Sequence, residues 1–242
     1  GIISEYIIVL IWCGDMCVTA FDQGITHFDL ANNYGPSYGS AEETFGQIMK
    51  SSFAPYRWVV YFHEGRSWHV ARPVWQLGSR KHLMASLDQS LKRMNLDYVD
   101  VFYSHRYDPE TPLEETLQAL VDIVRKGKAL YVACLNTRWM PICLHLVIWK
   151  NGCALLLYQG RYSMLVREPE SQGILNAVKE NGSGFVAFSP LAQGLLTNRY
   201  LNGIPDNSTY SKGWFPEKRG AYAGRCWVRY KHWMNGRLMR GQ

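Results

Sequence analysis

Short apolar runs alternate along this chain with segments whose apolar positions recur at helical spacing, and that alternation predicts a βα repeat. Tyr6 to Cys13 (YIIVLIWC) and Ile25 to Ala31 read as the first two strands, the second as a strand buried on both faces. Asn32-Asn33-Tyr34-Gly35 is turn chemistry. Ser40-Ala41-Glu42-Glu43 offers a serine cap and early acids to a helix through Phe45, Ile48 and Met49. Trp58 to His63 is the next strand, and Ser79 or Lys81 leads into a helix with Leu83, Leu87, Leu91 and Met94 on one face. Asp97 to His105 is a strand ending in Ser104-His105, and a helix follows, capped at Thr111-Pro112 and stopped at Gly127. The pattern then predicts strands at Ala129 to Leu135, Ala154 to Gln159 and Gly184 to Pro190. Helices fall at Pro141 to Lys150 and Gly173 to Glu180.

Seven strands emerge, one short of the eight that close a barrel. The first connection, Gly14 to Gly24, is too short for a full crossover with its helix, and no further strand or helix pattern follows the small-residue loop after Pro190. The expected fold is α/β, a (β/α)8 TIM barrel with a shortened first helix and an atypical C-terminal end. Residues 1–205 form the barrel domain and 206–242 a separate basic, aromatic tail.

Charge alters this picture only at the tail. The net charge of +6 is local: seven basic residues lie from Lys218 onward with no acid among them, leaving nineteen basic against twenty acidic side chains before it. Trp227, Tyr230 and Trp233 interleave those charges, but no nucleic-acid recognition motif is present, so no nucleic-acid partner is expected. No segment reaches the roughly 18 apolar residues of a membrane span, and no signal-peptide pattern precedes the first run; a cytoplasmic protein is expected. The six cysteines make no C-x-x-C pair and read as reduced packing residues.

If the strands are parallel, their C-terminal ends gather Asp29 and Tyr34, His63, His105, Asn136, Gln159 with Tyr162, and Ser189 on one face. Each alone is more often a packing or hydrogen-bonded structural residue; the joint pattern points to a site. No G-x-G-x-x-G or G-x-x-x-x-G-K-[ST] motif occurs, which weighs against Rossmann and P-loop chemistry.

GITHFDLANNYG (24–35), GSAEE (39–43), SRKHLMASLDQSLKRMNLDYVDVFYSHR (79–106), GKALYV (127–132) and FSPLAQGLLTNRYLNGIP (188–205) resemble the aldo-keto reductases, especially members akin to potassium-channel beta subunits and glyceraldehyde-type reductases. The resemblance implies a barrel that reduces aldehyde or ketone carbonyls with NADPH. It implies Tyr34 as proton donor, Asp29 as its electrostatic support and His105 as the residue orienting the carbonyl. It assigns the cofactor to Trp12, Asn136, Gln159, Tyr162, Ser189, Leu191, Gln193 and Gly194, with Tyr162 stacking on the nicotinamide. The lysine that the family pairs with the aspartate corresponds to His63, so impaired reductase chemistry with retained cofactor binding is the expectation. A small-molecule carbonyl compound is the implied substrate, and a homo-oligomer is compatible with the family.

Two other classes remain open at this level. His63, His105 and Asp29 at three strand ends could hold a divalent metal for hydrolysis, although no H-x-H or H-E-x-x-H spacing supports it and no metal ligand is assigned. A non-catalytic, nucleotide-binding subunit would keep the fold and lose the lysine.

Overall fold

The computed structural model describes residues 2–53, 60–64, 78–105, 108–135 and 155–200, with only the backbone described for 2–9, 60–64, 193 and 200. These residues fall in two compact units, one running to Tyr158 and including Ala177–Gly184, the other comprising Gln159–Asn176 and the described residues from Phe185. The predicted helix at 141–150, Asn136 and the 206–242 tail lie outside the described residues.

The chain opens with a correction. Tyr6 to Cys13 is not a strand but part of helix α1, Ile2–Asp22, which also takes up most of the supposed short connection. An eight-residue apolar run has no periodicity that separates a buried strand from a helix. Here the helical course continues through Asp15, Met16 and Phe21, and length decides it. α1 ends at Gly24, which adopts φ +86° while the Ile25 amide reaches back to the Ala20 carbonyl and the Gly24 amide to that of Phe21. Phe21 packs edge-on against Phe53 at 5.3 Å.

Four strands follow in this unit: β1 His27–Ala31, β2 Val60–Glu64, β3 Val99–Ser104 and β4 Ala129–Leu135. They pair in parallel, each with the next. The register aligns Ala31 with Glu64 and Glu64 with Tyr103, so the ends of the first three strands stand level. β1 is not buried on both faces: His27 and Asp29 are exposed, Phe28 and Leu30 half-buried, and Ala31 buried. Phe28 turns to the helix layer, 5.4 Å from the Phe45 ring and 6.2 Å from that of Phe53. The alternate side chain, Asp29, therefore points to the opposite face.

Helices α2 (Ser40–Ile48), α3 (Arg80–Met94) and α4 (Leu113–Arg125) cover the sheet. α2 continues into a π-helical turn, Met49–Phe53. The stripe predicted for α3 is the observed one, with Leu83, Leu87, Leu91 and Met94 buried, and α4 buries Leu117, Leu120 and Ile123. Each such side chain is worth about 1.5–3 kcal/mol when fully removed from water. Ser79 caps α3 as predicted, accepting the His82 amide at 3.3 Å. Two other caps differ. Gly39, at φ +83°, precedes α2, and Ser40 instead donates to the Ser37 carbonyl at 2.9 Å. Pro112 precedes α4, and the Thr111 hydroxyl donates to Asp108 at 2.7 Å. In both places a carboxylate or carbonyl nearer the preceding loop captured the hydroxyl.

α3 and α4 end in the same device as α1, with Asn95 and Gly127 left-handed and the next amide reaching back five residues. This turn delivers the chain straight into β3 and β4. Cys13, Cys17 and Cys134 are in no disulfide. Among the described residues no helix is long and apolar enough to cross a membrane.

Strand β5, Leu155–Arg161, begins in the first unit and ends in the second. In the first, Ser183 donates to the Leu155 carbonyl at 2.6 Å. The second unit holds the end of β5, helix α5 (Glu168–Ser171), the start of α6 (Ile174–Glu180) and most of β6 (Gly184–Phe188). There the Tyr162 amide donates to the Phe188 carbonyl at 3.4 Å.

Candidate functional site

The first unit carries the residues read as catalytic. Asp29 is the third residue of β1, and Tyr34 lies three residues beyond its end. The Tyr34 amide donates to the Ala31 carbonyl at 3.0 Å, and its carbonyl accepts the Ala41 amide at 3.2 Å, which ties the loop to both β1 and α2. Its side chain is 39% exposed, open enough to meet a ligand. Gly35 makes this loop possible: it sits at φ +104°, and a Cβ there would fall 2.0 Å from the Ser40 hydroxyl.

His105 follows the last residue of β3 directly and is 7% exposed. The row Ala31, Glu64, Tyr103 is level across three strands; His105 lies two residues past it, and Tyr34 three past it in the turn that follows β1. At about 4.8 Å between neighbouring strands, β1 and β3 stand roughly 10 Å apart, the span of a small carbonyl compound with its contacts.

His63 is placed by its backbone. It pairs with Leu30 on one side and Phe102 on the other, whereas Asp29 pairs with Phe62. Faces alternate along a strand, so the row two residues on from Asp29 holds Ala31 and Glu64. His63 and Asp29 are thus one residue out of step.

Sequence reading treated Asn33 as turn chemistry alone. In the structure its Oδ1 is buried with no hydrogen-bond partner among the described residues. An acceptor of that kind beside Tyr34 is suited to a donor from a ligand. Trp12, expected at a strand end, stands on α1 and is 70% exposed. Among the described residues no three His, Cys, Asp or Glu side chains cluster as a metal site would require.

Burial pushes the phenol of the core residue Tyr158 up to about 12, with the nearby Cys134 thiol adding to the rise. Burial of Asp108 works against its ionisation. Hydrogen bonds from the Gly78 amide at 3.1 Å, the Thr111 hydroxyl and the Glu110 amide outweigh that and hold it below the usual carboxylate range. Asp108 so pins the loop after β3, where His105 stands, to the residue before the α3 cap. His82, half-buried beside it, is lowered by burial more than Asp108 raises it.

The second unit carries the residues read as cofactor contacts. Gln159 is buried near the end of β5. Tyr162 begins the next turn, its hydroxyl donating to Glu170, which also pairs with Arg167. That hydrogen bond raises the Tyr162 phenol and lowers the Glu170 carboxyl. The Arg167 guanidinium lies 5.2 Å from the Tyr162 ring centre, and Phe185 meets the ring edge-on at 5.7 Å. Arg167 and Glu170 escaped sequence reading; their signal was the R-E-P-E run opening α5.

After β6 the backbone turns sharply. Ser189 and Ala192 adopt φ +54° and +48°, positions non-glycine residues rarely take, and Gly194 follows at +89° within the short 3-10 turn Ala192–Gly194. Leu191 at φ −90°, ψ 9° precedes left-handed Ala192, and the Ala192 and Gly194 amides close the turn by donating to the Ser189 and Leu191 carbonyls, each at 2.9 Å. Leu191 is exposed, and Gln193 is described by its backbone only.

Comparison with known proteins completes these observations. The model of the aldo/keto reductase family matches residues 14–224. Two Escherichia coli proteins named L-glyceraldehyde 3-phosphate reductase are similar to it. One is 52% identical over 195 residues, covering 78% of this chain and 55% of that protein; the other is 51% identical over 193 residues with the same coverage. A Schizosaccharomyces pombe protein named as a voltage-gated potassium channel subunit beta is 33% identical over 201 residues, covering 79% of this chain and 56% of that protein. Among solved structures, a thermostable aldo-keto reductase crystallised with the inhibitor epalrestat matches with a TM-score of 0.62 and 32% identity, covering 77% of this chain and 63% of that one. The chain spans little more than half the length of the curated relatives it matches.

Proposed function

The chain belongs to the aldo/keto reductase family, whose fold is the (β/α)8 barrel, and from that membership we propose that it reduces aldehyde or ketone carbonyls with NADPH, Tyr34 giving the proton. The observation that carries this reading is that Tyr34 and His105 both follow closely on the level ends of the parallel strands β1 and β3, with Asp29 on the face opposite the helices.

Reduction adds a hydride to the carbonyl carbon and a proton to its oxygen. NADPH, when bound, supplies the hydride. The residues of the second unit fit that group: buried Gln159 suits the carboxamide, the Tyr162 ring offers an aromatic face, and the tight turn at 189–194, with small Ala192 and Gly194, leaves room for the pyrophosphate to approach the backbone. His105 directs the carbonyl oxygen toward Tyr34, and the Tyr34 phenol transfers its proton as charge develops on that oxygen. A phenol of ordinary pKa ~10 is a slow donor near neutral pH, so a cation beside Asp29 is required for full rate. His63 occupies the family's lysine place by sequence, and the register offers Glu64 as the row in phase with Asp29; neither holds a permanent positive charge. Catalysis is therefore slow, while cofactor binding persists.

Fluorescence titration with NADPH, followed by turnover with an aromatic aldehyde, tests this: binding with slow NADPH consumption that disappears in Tyr34→Phe is the expected result. A second reading, a nucleotide-binding subunit without turnover, draws on the similarity to the channel-subunit relative and predicts binding alone.

A further inference from the structure

The loop bearing Tyr34 is fixed at both ends by backbone hydrogen bonds, but α2, its second anchor, must itself be held. The first turn of α2 contains Glu42, fully buried, whose Oε2 accepts the Arg93 Nε at 2.5 Å from α3. Arg93, only 16% exposed, is in turn held by three other groups. Its Nη2 donates to the Ser90 hydroxyl at 2.9 Å, and its guanidinium carbon lies 5.4 Å from the Tyr38 ring centre. Its Cδ occupies the space over Gly39, 2.5 Å from where a Cβ would be. Tyr38 and Gly39 belong to the same loop as Tyr34. Arg93 thus touches that loop at two consecutive residues and the first turn of α2 at a third.

Such an arrangement adds direction as well as adhesion. Apolar contacts alone would hold α2 on α3, and replacing a buried ion pair by apolar residues is often neutral for stability. A planar guanidinium fixed by a carboxylate, a hydroxyl and an aromatic face permits only one seating of the helix turn. That turn supplies the Ala41 amide, and through it the position of the Tyr34 carbonyl.

We propose that Arg93 and Glu42 are positioning residues for Tyr34, setting where its phenol stands relative to the strand ends. This rests on the reading of Tyr34 as proton donor. A displacement of about 1 Å at a reacting group is worth on the order of a hundredfold in rate, so the pair acts on turnover more than on binding.

The test uses the full chain with 3-fluorotyrosine at position 34, observed by 19F NMR, in the parent and in Glu42→Gln, Arg93→Lys and the surface variant Tyr38→Leu. The expected result is a shifted or split resonance in Glu42→Gln and Arg93→Lys, and a smaller change of the same sense in Tyr38→Leu. Turnover should fall tenfold or more in the first two, with the Kd for NADPH within about twofold because the cofactor residues are untouched. Should the buried pair not tolerate change, Tyr38→Leu alone decides by its resonance. A resonance unchanged in the folded variants overturns the inference, and this readout does not depend on turnover. Tyr34→Phe separates the two claims: unchanged turnover there refutes the donor reading, whereas lost turnover with an unmoved resonance in the pair variants refutes only the positioning role.

Discussion

Gly46→Ala puts two opposed effects into one substitution. Gly46 lies inside α2, where alanine is favoured over glycine by about 1 kcal/mol. Yet a Cβ at Gly46 would stand 2.4 Å from the Met94 carbonyl oxygen and 2.7 Å from its carbonyl carbon and Cα. Those are backbone atoms at the end of α3, which cannot swing aside as a side-chain tip does. Restoring an ordinary separation near 3.5 Å requires about 1 Å of movement between the helices. Overpacking of this kind costs roughly 1–3 kcal/mol, enough to reverse the propensity gain. The net loss is about 0–2 kcal/mol, so at about 2–4 °C per kcal/mol for a chain of this size the melting temperature should not rise and should fall by up to about 8 °C. Gly14→Ala is the matched control: it is also helical, with nothing within 4 Å of the added carbon, so it should raise the melting temperature by about 2–4 °C. Thermal unfolding followed by circular dichroism compares the two. If Gly46→Ala stabilises as much as Gly14→Ala, the close seating of α2 on α3 is wrong.

Further outcomes follow from the same geometry. Burial lowers His82, so its folded pKa lies below its unfolded value; the stability it contributes is present above about pH 6.5 and lost as pH falls. Melting curves between pH 7.5 and 5.5 should therefore decline less steeply in His82→Gln than in the parent, and equal slopes would remove His82 as the cause. Asp108 is held low, so Asp108→Asn should destabilise at neutral pH and bring the variant and parent together below pH 4, read from urea midpoints. His63→Lys and Glu64→Lys both test the missing cation. Either should raise aldehyde reduction by orders of magnitude. Equal, unimproved rates in both would show that a cation beside Asp29 is not what limits the reaction.

Much of the scaffold was legible because its signals are local. Ala129–Leu135 has the predicted strand bounds, bracketed by a glycine stop and a continuous apolar run. The α3 stripe and its Ser79 cap likewise follow from spacing and one hydroxyl. α1 was misread because an apolar run of strand length carries no sign of its period. The caps at Ser40 and Thr111 were misread because a neighbouring acceptor won the hydroxyl, a competition that depends on loop geometry. Asp29, Tyr34 and His105 could be named from their places at strand ends. The level row at the ends of their strands depends on strand register, and the step between Asp29 and His63 does too, so neither could be read from the chain alone. The Tyr162, Arg167 and Glu170 set was hidden for a related reason: eight residues separate its ends, and only the turn after β5 brings them together.

The central claim is that this chain binds NADPH and uses Tyr34 to protonate a reduced carbonyl. The most direct measurement is NADPH consumption with an aromatic aldehyde, in the parent and in Tyr34→Phe, after a fluorescence titration has established binding in both. Comparable NADPH affinity, with slow turnover in the parent and none in Tyr34→Phe, is the predicted result. Absence of NADPH binding, or turnover that survives the loss of the phenol, would contradict it.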